Sequence, residues 1–219
     1  MTKEKIKTFI PHFLLYNFEI IRIRQRNSKP RQEKIYQKWL QDSKPLPPPH
    51  IAKQKVIEEF AKKYNLKTLI ETGTFLGDMI YSQRNNFSKL VSIELDEVFY
   101  KDAKQKLKHV NNIEILKGDS GIVLNEITPA LKEPCLFWLD GHYSAGFTAK
   151  GDLETPIISE LNTIFSLKEN HIVLIDDARC FTGENDYPTI EFIRDFIKNK
   201  RTGYRMEVKD DIIRLHPYE

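Results

Sequence analysis

Cysteine is nearly absent from this chain: its 219 residues hold only Cys135 and Cys180. Two thiols at that spacing match no zinc-ligand pattern, so reduced core thiols in a cytosolic protein are the expectation. No apolar run approaches the roughly 20 residues that cross a bilayer, which excludes a membrane-spanning helix. A signal-peptide pattern is missing as well, since Pro11, His12 and Asn17 interrupt the first apolar stretch and no small-residue cleavage site follows. A cytoplasmic location follows from these absences. Basic charge is scarce where a nucleic-acid-binding domain would need it. Residues 1–50 hold 11 Lys/Arg against 4 Asp/Glu, which leaves 23 against 27 for everything after them. The main domain is therefore acidic, and nucleic acid is not an expected partner.

The 40% hydrophobic and 30% charged composition is that of a soluble globular protein, and 219 residues suffice for one sizeable domain plus an appendage. Three regions are expected. Residues 1–44 form a basic, helical extension in which Phe9, Phe13, Tyr16, Ile20 and Ile23 recur at helical spacing. Residues 45–50 are a stiff proline-rich linker, and residues 51–219 are the main domain. The apolar stripe over residues 9–26 has two readings: peripheral contact with an anionic membrane surface, or packing against the main domain or a second subunit.

After the linker, IAKQKVIEEFAKKYN reads as a helix, and five apolar strand candidates follow: KTLIET, KLVSIEL, IEILKG, CLFWLD and HIVLID. Helical segments separate them, which indicates an α/β fold with a doubly wound, mostly parallel sheet covered on both faces. The final stretch YRMEVKDDIIRLHP reads as two strands meeting in a hairpin that closes one sheet edge.

In such a sheet a ligand sits at the carboxyl ends of the strands, beginning where the first strand meets its helix. That junction is ETGTFLGD, residues 71–78. A phosphate-cradling loop would need a lysine after the second glycine, and here Gly77 is followed by Asp78. A dinucleotide site would need three glycines, and Glu71 stands where the first would be. What remains is a ligand without phosphate and with a local positive charge.

The motif E-T-G-T-F-L-G resembles the first motif of the class I S-adenosylmethionine-dependent methyltransferases. The resemblance spans about residues 51–215 and implies a seven-stranded Rossmann-like sheet with S-adenosylmethionine as cofactor. Glu71, Gly73, Thr74 and Gly77 would line it. Glu94, at the end of SIELD, would hold the ribose hydroxyls with Asp96 in reserve, and Asp119 and Ser120, in KGDS, would meet the adenine. Asp140 would touch the methionine portion.

The strand ends LDGH and IDDAR bring Asp140, Asp176 and Asp177 to neighbouring strands. Three carboxylates in a partly dry site repel each other unless a cation or protons compensate, and an oxygen-only set suits Mg²⁺ or Mn²⁺. This pairing resembles the metal-dependent O-methyltransferases that act on antibiotic sugars, which implies that the three aspartates bind the metal. Where those enzymes carry a carboxylate as base, this chain has His142, whose ordinary pKa suits the same role. A sugar or other small hydroxyl is the implied acceptor. RNA methylation, or cofactor binding without catalysis at a membrane surface, are the competing readings.

The two readings of the N-terminal stripe separate in a liposome co-sedimentation assay. If residues 9–26 lie on an anionic surface, the full-length protein pellets with the vesicles and a version lacking residues 1–44 stays behind. Equal recovery of both in the supernatant removes the membrane reading.

Overall fold

The computed structural model describes residues 29–141 and 155–218. The expected helix over 9–26, His142 and the loop that follows it lie outside the described residues. The chain divides into two units, one ending at Lys44 and one beginning at Pro45. In the first, helix α1 (Lys29–Gln41) sets the rings of Tyr36 and Trp39 with centroids 5.8 Å apart, and Lys44 stands over the Trp39 ring.

The second unit alternates strand and helix as the sequence pattern requires. Helix α2 (His50–Lys63) leads into β1 (Thr68–Thr72), the short α3 (Asp78–Ser82), β2 (Lys89–Glu94) and α4 (Glu97–Leu107). Then come β3 (Ile113–Lys117), α5 (Ser120–Ile127), β4 (Leu136–Leu139), α6 (Ile157–Ser166) and β5 (Ile172–Ile175). Helix α7 (Ile190–Lys200) precedes the closing hairpin of β6 (Tyr204–Lys209) and β7 (Ile212–Pro217). The strands form one seven-stranded sheet in the order β3-β2-β1-β4-β5-β7-β6. Strands β1 to β5 run parallel, while β7 is antiparallel to both β5 and β6.

The expected Rossmann-like fold is therefore present, and its apolar strands are explained by burial on both faces. Successive residues alternate between two cores. Ile70, Phe137, Leu139, Val173 and Ile175 face one. Leu69, Leu136, Trp138, Ile172 and Leu174 face the other, together with Val56, Ile57 and Phe60 of α2. Burying each such side chain contributes roughly 1.5–3 kcal/mol before chain entropy is set against it. A strand with only one covered face would show polar residues at every second position, and β4 and β5 show none.

The hairpin turns at Asp210 and Asp211, with φ of 52° and 62°. Two positive values in a two-residue loop suit the right-handed twist of the flanking strands, and Asp tolerates them better than most residues. Helix α7 was not assigned from the sequence. It starts where the Thr189 hydroxyl accepts the Phe192 N–H at 3.0 Å, and it buries Ile193 and Ile197, one turn apart.

Chain order runs outward from β1 to β3 and then returns to β4 on the other side of β1. The direction of winding reverses between β1 and β4, and a crevice opens there at the carboxyl edge of the sheet.

At the opposite end of β5 sits His171, 1% exposed, its Nδ1 accepting the Cys135 N–H at 3.1 Å. Burial lowers its pKa to about 4. The unfolded chain, with an ordinary histidine near 6.5, then binds the proton first, so stability falls as pH drops from about 6.5 toward 4. Thermal melts across that range should show the decline in the native protein and a flatter profile in His171→Asn, which keeps an acceptor without a titrating ring.

Candidate functional site

The crevice is built on residues at strand ends. Glu71, on β1, is 1% exposed and stands in register with Ser92 on β2. The Ser92 hydroxyl donates to the Glu71 carboxylate, and its oxygen lies 2.6 Å from the Thr74 hydroxyl. Burial pushes the Glu71 pKa well above the usual carboxylate range; the Ser92 bond opposes this, and Asp140 and Glu94 add to it. Burial disfavours the ionised form of such a carboxyl, and a nearby positive charge favours it.

Gly73 is where the loop leaves the strand. Its φ is +81°, and a Cβ there would stand 2.4 Å from the carbonyl oxygen of Asp140. No side chain fits, so the backbones of the β1 and β4 loops form the crevice floor in direct contact. The Asp140 N–H donates to Thr72 O at 3.1 Å and ties the two exits together. Gly77 also has a positive φ, +75°, and turns the chain into α3.

Glu94 ends β2 with both oxygens oriented by backbone. Oε2 accepts from the Phe75 N–H at 2.7 Å and Oε1 from the Asp96 N–H at 2.8 Å. Burial raises its pKa despite these bonds. Phe75, partly exposed, packs on Phe99 with ring centroids 4.7 Å apart. Asp96, the reserve ribose acceptor, also caps α4, its Oδ1 accepting from the Val98 and Phe99 N–H groups at 2.7 and 3.0 Å. Asp119 likewise caps α5, accepting from Gly121 N–H at 2.8 Å, while Ser120 is buried as the first residue of that helix. The cap employs Asp119 Oδ1 alone.

Strands β4 and β5 bring Asp140, Asp176 and Asp177 together, with one carboxylate oxygen from each lying within 4.8 Å of the others. Continuing the strand alternation puts Asp140 and Asp176 on the α2 side of the sheet, the side of Trp138 and Leu174. Asp177 would point away, but its φ of 54° breaks the extended path. Three oxygen donors at this separation fit Mg²⁺ or Mn²⁺, with room in an octahedron for water and one ligand oxygen.

The sequence did not single out the cations that compensate these charges. Lys53 of α2 reaches Asp176 Oδ2 and lies 3.3 Å from Asp177 Oδ1. Arg179 donates to Asp177 Oδ1 at 2.7 Å and also to Asp211 in the hairpin turn. Burial works against the charge of Lys53, yet Asp176 and Asp177 outweigh it and hold its pKa above the ordinary lysine value. Burial likewise raises Asp176, with Lys53 opposing. A signal for Lys53 was present: with Val56, Ile57 and Phe60 it occupies i, i+3, i+4 and i+7, so a lysine tops the buried stripe of α2. Beside Asp176 lies a small recess lined in part by Gly141, Thr155, Glu160, Phe181 and Tyr187.

No family model matches the chain, and no curated protein matches it by sequence. Solved structures do match. An O-methyltransferase from Bacillus cereus in complex with S-adenosylhomocysteine is 14% identical with a TM-score of 0.54, over 86% of this chain and 90% of that one. The O-methyltransferase TomG from Streptomyces achromogenes, in complex with S-adenosylmethionine, is 16% identical with a TM-score of 0.53, over 85% and 88%. The methyltransferase PaMTH1 from Podospora anserina, bound to S-adenosylhomocysteine, is 14% identical with a TM-score of 0.53, over 96% and 99%. The fold is that of the class I methyltransferases. Within that fold Glu71, Gly73 and Glu94 stand at the carboxyl ends of β1 and β2 and Asp119 at that of β3.

Gly73→Ala should destabilise the protein by about 1–3 kcal/mol, the range for forcing atoms into a packed site, with a further loss from the positive φ. Urea unfolding of the variant beside the native protein checks this. An unchanged midpoint would mean that the two loops do not press together as described.

Proposed function

We propose that this protein transfers a methyl group from S-adenosylmethionine to the hydroxyl of a small acceptor, a sugar or comparable metabolite. The observation that carries the reading is the pairing of a deeply buried Glu71 with the sterically closed Gly73 where the β1 and β4 loops meet. A pyrophosphate finds no lysine and meets a carboxyl there; a ligand with a sulfonium and an ammonium finds a partner for its charge.

In this reading Glu94 holds the ribose hydroxyls, since Phe75 and Asp96 N–H groups already fix its carboxylate. Asp119 and Ser120 meet the adenine, Thr74 and Gly77 shape the loop around it, and Asp140 touches the methionine end. The acceptor oxygen attacks the methyl carbon in line with the carbon–sulfur bond; that bond breaks, its electron pair goes to sulfur, and the hydroxyl proton goes to His142. Alignment of the three atoms supplies most of the rate, because little proton chemistry is needed. A divalent ion, Mg²⁺ or Mn²⁺, held by Asp140, Asp176 and Asp177 would polarise the acceptor hydroxyl as a Lewis acid.

The stripe over residues 9–26 leans the acceptor toward glycan assembly at the inner face of a membrane. RNA methylation draws on the basic charge of the first 50 residues, but the rest of the chain holds 23 Lys/Arg against 27 Asp/Glu, and we do not adopt it. A non-catalytic binding module would have no use for the three-aspartate cluster.

Calorimetry with S-adenosylmethionine, S-adenosylhomocysteine, NAD and ATP tests the cofactor. Micromolar binding of the first two and none of the nucleotides is expected. Because the methyl donor's positive charge opposes the burial that raises the Glu71 pKa, binding should release protons in the pH range where that carboxyl titrates. Repeating the titration in buffers of different ionisation enthalpy measures the release. Tight capture of NAD or ATP with no heat from the methyl donor would overturn the reading.

A further inference from the structure

We infer that Lys53 is a built-in counter-ion of the Asp140–Asp176–Asp177 cluster, and that a divalent cation enters by displacing its ammonium group. This rests on the metal reading of those aspartates given above.

The contacts are specific. Asp176 Oδ1 accepts the Asp177 N–H at 2.8 Å, which leaves Oδ2 as the oxygen to be shared with a cation, and Lys53 Nζ is seated on it. The same Nζ lies 3.3 Å from Asp177 Oδ1, between the two carboxylates that the end of β5 contributes. The Lys53 side chain is 15% exposed and that of Asp176 1%, so the ammonium lies on the outer side of a carboxylate almost sealed from water. A metal and an ammonium cannot share these oxygens at contact distance, because like charges in a partly dry site repel strongly.

Asp140, Asp176, Asp177 and Asp211 bring four carboxylates to this end of β5, against two cations, Lys53 and Arg179. With Lys53 withdrawn only Arg179 is left to offset them, so a divalent ion in its place adds more positive charge than the ammonium took away. Arg179 is bridged between Asp177 and Asp211 and is fixed there by two partners. Lys53 also has two partners, Asp176 and Asp177, but both belong to the cluster itself, and its ammonium hangs on a flexible four-carbon stem that can swing the head outward while the stem stays packed. Lys53 therefore lets the cluster fold before any metal arrives, and it weakens the metal's hold by competing for the same oxygens.

The test is Mn²⁺ binding to the full chain, followed through the electron paramagnetic resonance signal of the free ion, in native protein and Lys53→Met. The variant keeps the stem and drops the charge. It should bind Mn²⁺ at least ten-fold more tightly than the native protein. Its melting temperature should be lower than native without metal and should rise further with added Mn²⁺. Equal affinities would overturn the inference while leaving the metal reading intact. Binding by neither protein would overturn the metal reading and this inference with it, whatever the cofactor calorimetry gives. Should Lys53→Met fail to fold, Lys53→Arg serves: a planar, always-charged group gripping the same pair should weaken Mn²⁺ binding several-fold, and unchanged or tighter binding would overturn the inference.

Discussion

Carboxylates buried at the ends of parallel strands must each find a counter-charge, a hydrogen-bond donor or a proton, and that requirement organises the carboxyl edge of this sheet. Burying an uncompensated charge costs far more than one hydrogen bond returns. Three different solutions appear along the edge. Glu71 takes the Ser92 hydroxyl, while burial raises its pKa. Glu94 takes two backbone N–H groups. Asp176 and Asp177 take Lys53 and Arg179. Because the compensating groups come from α2, from β2 and from the loop after β5, the edge cannot be assembled until the helices have docked on the sheet.

Much of this was legible in the sequence. Five apolar runs separated by helical segments sufficed for the parallel sheet, because strands buried on both faces lose their polar alternation. The glycine pair in ETGTFLG marked the turn, since only glycine accepts both a positive φ and a neighbouring backbone at the distance Gly73 shows. Two strand-like runs meeting without a helix in YRMEVKDDIIRLHP marked a hairpin, and at its turn Asp210 and Asp211 carry the positive φ values it needs. The meeting of Asp140 with Asp176 and Asp177 followed from strand adjacency alone.

What escaped is physically distinct. Lys53 lies 123 residues from Asp176, and no local pattern pairs them; only the docking of α2 does. Helix α7 offers a Thr189 cap and an Ile193–Ile197 pair, but its exposed Phe192 blurs the apolar stripe. Asp96 and Asp119 read as ligand acceptors because an acid at a strand end is equally well placed to cap the next helix. Strand-end position does not distinguish the two roles, and the caps use only Oδ1 of each residue.

The capping of Asp119 and Asp96 narrows what the crevice can bind. Oxygens spent on backbone N–H groups are fixed in place, and fixed acceptors select ligands that bring donors: hydroxyls and amines. In the proposed reading Glu94, held from two sides, would offer such acceptors to a diol, and Glu71, whose pKa burial raises, would respond to a cation more than to shape. A ligand carrying phosphates would have to face Glu71, Glu94, Asp78 and Asp119 with no lysine in the glycine loop to offset them. In the proposed reading, the same carboxylates that would receive a cationic nucleoside would also disfavour a phosphate.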